Sequence, residues 1–217
     1  ASEERTAGNP LFAKRERKKE LLLVITGERG LCGSFNASIL KELMKYLAAN
    51  RDRDIALYPI GKTSVAFTRR RGLKIWKTWT DVGYQFTQDS LKDKLAEIVA
   101  AFLSGEFDEI NVQTVTLSRG GASRPTLEPL LNLSYLLKKA DEAEAQLAKA
   151  GKNPADLNYI FEPDAESVLK TLIERFIKQK FFVLLLKSVT AEYFARMTAM
   201  KQATENGKEV IKKLTLE

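Results

Sequence analysis

The sequence contains no histidine, and Cys32 is its one cysteine among 217 residues. Without histidine there is no Ser–His or Cys–His nucleophile pair, no His-based zinc site and no imidazole acid or base. An enzyme built from this chain has carboxylates, lysine, tyrosine or a cofactor to work with. A single cysteine excludes an internal disulfide, and a free thiol fits a reducing compartment. No stretch approaches the ~18 consecutive apolar residues needed to span a bilayer. The longest pure run is Phe181 to Leu186, and the first residues lack the apolar core of a secretory signal. Proline is sparse, and none follows Pro163.

Hydrophobic residues make up 44% of the chain, enough for one medium domain with a core or for a domain with an appendage. The net charge is +7. That balance permits contact with nucleic acid, anionic lipid or an acidic protein surface without choosing among them. Apart from Lys14 to Lys19 and Arg69 to Arg71 the cations are scattered, as on a solvated surface. Trp76 and Trp79 beside Lys74 and Lys77 fit an amphipathic strand better than a stacking platform, so no nucleic-acid partner is expected.

Periodicity sets the organisation. Residues 1–20 are polar and basic and read as a loose lead-in. Leu21 to Thr26 is a continuous apolar run, the pattern of a strand buried on both faces. After the glycine-bearing stretch 27–33, Phe35, Ile39, Leu40, Leu43, Met44 and Leu47 fall on one helical face. Strands are predicted at 55–60, 73–80 and 110–117, and helices at 63–70 and 91–103. Residues 119–129 are expected to form a loop, and 136–158 a variable insertion carrying an exposed helix. The alternation of strand and helix predicts an α/β fold: an open, mostly parallel sheet with helices on both faces. Residues 1–163 are assigned to this domain and 164–217 to a long helix. At ~1.5 Å per residue such a helix runs ~80 Å, longer than a compact domain of this size is wide. Its end must project, and its apolar stripe needs another helix.

Gly27-x-x-Gly30-x-x-Gly33 lies between a strand and a helix, where glycines let backbone approach a phosphate at the positive helix end. It is not the dinucleotide fingerprint, whose first spacing is G-x-G. A tight turn packing helix on sheet explains it as well. A nucleotide-binding α/β enzyme using this loop is therefore the alternative reading. Gly61-Lys62-Thr63 resembles the end of a phosphate-binding loop, but Ala56 stands where the first glycine is required. Cys32 at a helix start reads as a packed thiol, and Met197 and Met200 as core or partner-facing surface.

Three blocks are more specific. Thr26 to Asn36, with Gly27, Arg29, Gly30, Cys32 and Gly33, resembles the T-[SG]-[DE]-R-G-L-C-G-G-[YF]-N block of ATP synthase gamma subunits. Ala191 to Gly207 resembles their S-E-x-x-A-R-M-x-A-M-x-x-A-T-[DE]-N-A signature, with Ala191 for the usual serine and Gly207 for the usual alanine. Tyr159 to Asp164 resembles their Y-x-[YF]-E-P-D. The blocks stand in the family's order and the resemblance covers nearly the whole chain.

That resemblance implies a Rossmann-like domain carried on an antiparallel coiled coil of N- and C-terminal helices. Set against the family, the sequence is expected to lack the N-terminal helix and the last turns of the C-terminal one. The resemblance implies a non-catalytic central-stalk rotor, coupling ion-driven rotation of the c ring to ATP synthesis on the beta subunits. No catalytic residue, cofactor or metal is expected in the chain itself. Tyr159, Phe161, Glu162 and Asp164 are expected to meet the c ring and the epsilon subunit. Arg196, Met197 and Met200 are expected to face the partner helix or the alpha–beta head. Gly27, Arg29, Gly30, Cys32 and Gly33 are expected to form a structural turn. The protein would be peripheral to the energy-transducing membrane, on the cytoplasmic side in bacteria, reaching the membrane only through the c ring.

Overall fold

The computed structural model describes residues 9–13, 15–16, 18–82, 86–117, 123–149 and 164–215. In chain order these form β1 (Lys19–Ile25), α1 (Phe35–Ala49), β2 (Asp54–Ile60), α2 (Lys62–Arg70), α3 (Lys92–Leu103), β3 (Glu109–Leu117), β4 (Ser123–Leu131), α4 (Ser134–Lys149) and α5 (Ala165–Leu214). The sheet order is β2-β1-β3-β4. β1 runs parallel to both neighbours, and β4 runs antiparallel to β3.

The apolar run of β1 is explained by its central place, with cores on both sides. Leu21, Leu23 and Ile25 point with Tyr58, Ile60 and Val112 toward α3 and α5. Leu22 and Val24 point with Leu57 and Val115 toward α1, which inserts Phe35, Ile39 and Leu43. The long helix belongs to the first core along part of its length, through Ile173, Ile177, Phe181, Leu184 and Leu185. At Ala191 and Ala195 it touches the second. Residues 201–215 are exposed throughout.

The structure differs from the sequence reading in three places. The segment expected to be a loop contains β4, paired with β3 over eight residue pairs. Pro125 and Pro129 disguise it, yet an edge strand tolerates proline because one side of its backbone needs no partner. Residues 73–80 do not form a regular strand. They follow the edge of β2 through two isolated parallel bridges, Leu57 to Ile75 and Ile60 to Trp79. Finally, part of the lead-in is anchored. Phe12 is buried, the Leu133 amide donates to the Leu11 carbonyl at 2.7 Å, and Arg15 donates to the carbonyls of Phe102 and Phe107 while lying over the Phe102 ring.

At the N-terminal ends of the strands sits a buried polar cluster. The fully buried Glu20 accepts from the Tyr46 hydroxyl, from Asn111 Nδ2 at 2.7 Å and from Arg53 Nη1 at 3.1 Å. Arg53 also pairs with Glu109. Burial pushes the Glu20 carboxyl above its ordinary value, and the hydrogen bonds and the guanidinium only partly oppose it. The Tyr46 phenol is pushed up to about 12 by burial and by the Glu20 charge.

Candidate functional site

At the opposite end, where β1 and β2 finish, the glycine loop meets α5. Several of the loop's polar groups are engaged. The Gly27 amide donates to Asn36 Oδ1 at 2.9 Å, and the Gly27 carbonyl accepts from the Thr63 hydroxyl at 3.0 Å. Asn36 Nδ2 lies 3.3 Å from the Cys32 sulfur and 3.4 Å from Thr63 Oγ1. Cys32 is buried and packs with Phe35 and Ile39 under α1. Glu28 accepts from the amides of Val82 and Lys62, at 3.1 and 3.2 Å, and so ties the loop to the start of α2.

Above Gly27 stands the carboxylate of Glu192. A Cβ added to Gly27 would lie 2.7 Å from Glu192 Oε1, so the absence of a side chain there makes room for this acid. Glu192 is itself 4% exposed. Its charge is matched by Arg196 one turn on, whose Nη2 lies 2.5 Å from Glu192 Oε1. The same guanidinium reaches the carbonyls of Arg29 and Gly30, each at 3.4 Å. The Gly27 amide, engaged by Asn36 and overlain by Glu192, is thereby closed to a phosphate.

The trio Arg196, Met197 and Met200 is divided by the helix. Arg196 is turned to the loop, whereas Met197 is 61% exposed and Met200 43%. The two methionines belong to a stripe with Leu186, Tyr193, Ile211 and Leu214, all exposed. Thr190, Thr204 and Gly207 hold the intervening positions of the same stripe. Steps of alternately three and four residues are the signature of a coiled-coil seam. Between Tyr193, Met200 and Arg196 on the helix and Arg29, Gly30 and Leu31 on the loop runs a shallow open groove.

Of the expected foot residues, Tyr159, Phe161 and Glu162 lie outside the described residues. Asp164 caps α5, accepting from the Ser167 amide and hydroxyl at 2.8 Å each. The Ser167 amide hydrogen bond holds its carboxyl below the usual range. Among the described residues no cluster of three or more His, Cys, Asp and Glu side chains is placed to hold a metal ion. None of the helices described is long and apolar enough to cross a membrane. Glu192 lies within the Ala191 to Gly207 block without being among the residues expected there to make contacts. Its four-residue spacing from Arg196, acid before base on one helix face, was the available signal.

Comparison with known proteins agrees along the whole chain. The family model described as ATP synthase matches residues 1–217. The ATP synthase gamma chain of Moorella thermoacetica is 33% identical, over 95% of this chain and 68% of its own length. That of Gloeobacter violaceus is 31% identical, over 96% and 72%. Among solved structures, the central stalk and c ring of Tetrahymena thermophila mitochondrial ATP synthase superposes with a TM-score of 0.64 at 19% identity, covering 94% of this chain and 86% of that one. The rotor of the Euglena gracilis enzyme gives 0.58 at 14% identity, covering 94% and 76%. A mixed sheet flanked by helices, a projecting helix with an exposed seam and a glycine loop joined to that helix thus coincide with matches in sequence, and the chain belongs to the family of ATP synthase gamma chains.

Proposed function

We propose that the chain is the central-stalk rotor subunit of an F-type ATP synthase, passing rotation to a catalytic head without making or breaking bonds itself. The observation that carries this reading is the exposed seam of α5, which repeats every seven residues from Leu186 to Leu214. It projects beyond the sheet domain, and a solvated apolar stripe of that length is the unfinished half of a coiled coil. The occupant we assign is the N-terminal helix of the family's fold, seated on Tyr193, Met197, Met200 and Ile211. Two helices resist bending and twisting where one does not, and a rotor needs a stiff rod held by a firm foot. The foot is assigned to the segment carrying Tyr159, Phe161, Glu162 and Asp164, against the polar loops of the c ring and the epsilon subunit. The head partners are the alpha and beta subunits, which hold the nucleotides. The chain then meets the membrane only through the c ring, on its cytoplasmic side in a bacterium.

The test uses the full-length subunit with purified epsilon subunit and an alpha–beta hexamer. Capture of one copy per hexamer, with ATP hydrolysis rising on addition, is the expected result. Absence of capture together with saturable ATP binding by the isolated subunit would overturn the reading in favour of a nucleotide-binding enzyme. For the seam, Met197→Cys and Met200→Cys should each crosslink to cysteines along the N-terminal helix, and no crosslink at either position would remove that assignment.

A further inference from the structure

We propose that Glu192, seated over Gly27 and bridged by Arg196 to the glycine loop, is a latch that fixes the rotational register between α5 and the sheet domain. The proposal rests on the rotor reading. Three observations converge on it. Gly27 leaves a vacancy beside the sheet that the Glu192 carboxylate occupies, close enough that an added methyl would strike it. Arg196 then joins that carboxylate to the carbonyls of Arg29 and Gly30, residues far away in sequence. The latch also lies where the helix leaves the domain, since every described residue from Lys201 onward is exposed.

Position gives the contact its mechanical meaning. Before the latch, α5 is held by apolar packing through Phe181, Leu184 and Leu185, and to the sheet by Lys187 on Glu128 at 3.0 Å and Thr114 on the Leu184 carbonyl at 3.3 Å. Apolar packing is non-directional, and the Lys187 and Thr114 bonds lie on the sheet side, so none of these contacts ties the helix to the glycine loop. A charge-assisted, directional bond at the helix periphery resists rotation of the helix about its own axis over a lever arm of the helix radius. Torque entering at the sheet domain leaves it through the contacts at the end of the packed half of α5, of which this is the charge-assisted one to the glycine loop. Glu192 and Arg196 are therefore positioning residues for transmission and touch no nucleotide.

Two variants test it in the assembled, membrane-bound enzyme, with ATP hydrolysis and ATP-driven ion pumping measured together. Glu192→Gln removes the charge that Arg196 holds. Gly27→Ala leaves both charges in place and moves only the far end of a flexible carboxylate, so it decides the matter should Glu192→Gln fail to fold. Each is expected to assemble and hydrolyse ATP while ions pumped per ATP fall several-fold. Adding Glu192→Asp to Gly27→Ala should restore part of the ratio, because the shorter acid gives back the space the methyl takes. A Gly27→Ala enzyme that pumps as many ions per ATP as the unmodified one overturns the latch. Failure of the rotor reading is distinguishable, because the unmodified subunit would then not assemble at all.

Discussion

Two residues outside the latch set limits at the atomic scale. Gly61 has φ of +98°, and a Cβ there would lie 2.2 Å from the Thr26 carbonyl oxygen. Backbone atoms cannot yield as a side chain can. Gly61→Ala should therefore cost at least the ~1–3 kcal/mol of a residue forced into a glycine-only conformation, read as a lower urea midpoint. The Glu20 cluster gives the second prediction. Its folded-state carboxyl titrates above the unfolded value because it is buried, so its favourable share is complete below the unfolded value and is lost as pH rises through the folded one. Glu20→Gln never charges. Its melting temperature relative to the parent should climb as pH is raised from about 4.5, and a constant difference would contradict the assignment. Arg53→Ala does the opposite, leaving Glu20 and Glu109 buried without their shared cation, at a cost of ~3–5 kcal/mol. None of this was legible in the sequence. Glu20 and Glu109 stand at strand starts and Arg53 in a turn, positions where charge is ordinarily solvated, and only the parallel register of β1 with β2 and β3 brings them together.

At the scale of elements, the strands that carry the core were readable and the edges were not. β1, β2 and β3 are buried on both faces; β1 and β2 are written in nearly continuous apolar residues, whereas β3 alternates apolar residues with Asn111, Gln113 and Thr114, which are buried and hydrogen-bonded. β4 is half exposed and broken by prolines, so its sequence carries the marks of a loop, while the alternating residues 73–80 carry those of a strand and make only two bridges. The glycine loop was readable as a strand-to-helix turn; what occupied the space above it was not, because Glu192 arrives from 165 residues downstream. The long helix was legible throughout, and its two halves should behave differently. Ile173 to Ala195 is packed, whereas residues 201–215 are a solvated helix containing Gly207. Isolated helices of that length are marginal in water. Hydrogen exchange should be slow in the first half and fast beyond Lys201, and addition of the N-terminal helix as a peptide should slow it there. Equal protection along the whole of α5 would mean that the distal half is stable unaided.

As a whole, the molecule is a compact body with a rod. A globular chain of 217 residues has a radius of gyration of ~17 Å, whereas α5 alone, at 50 residues, is ~75 Å long. X-ray scattering from the isolated chain should give a radius clearly above the globular value and a distance distribution with a long tail. A symmetric distribution ending near the width of the domain would mean that the helix folds back. The lone thiol bears on how motion of such a rod can be watched. Cys32 is enclosed beneath α1 and engaged by Asn36, so it is shielded from maleimide dyes while the fold is intact. A single cysteine placed at an exposed position off the seam, such as Glu205, would then be the labelled one in this chain, and the angle of the shaft could be followed by fluorescence polarisation on one molecule at a time without first deleting Cys32.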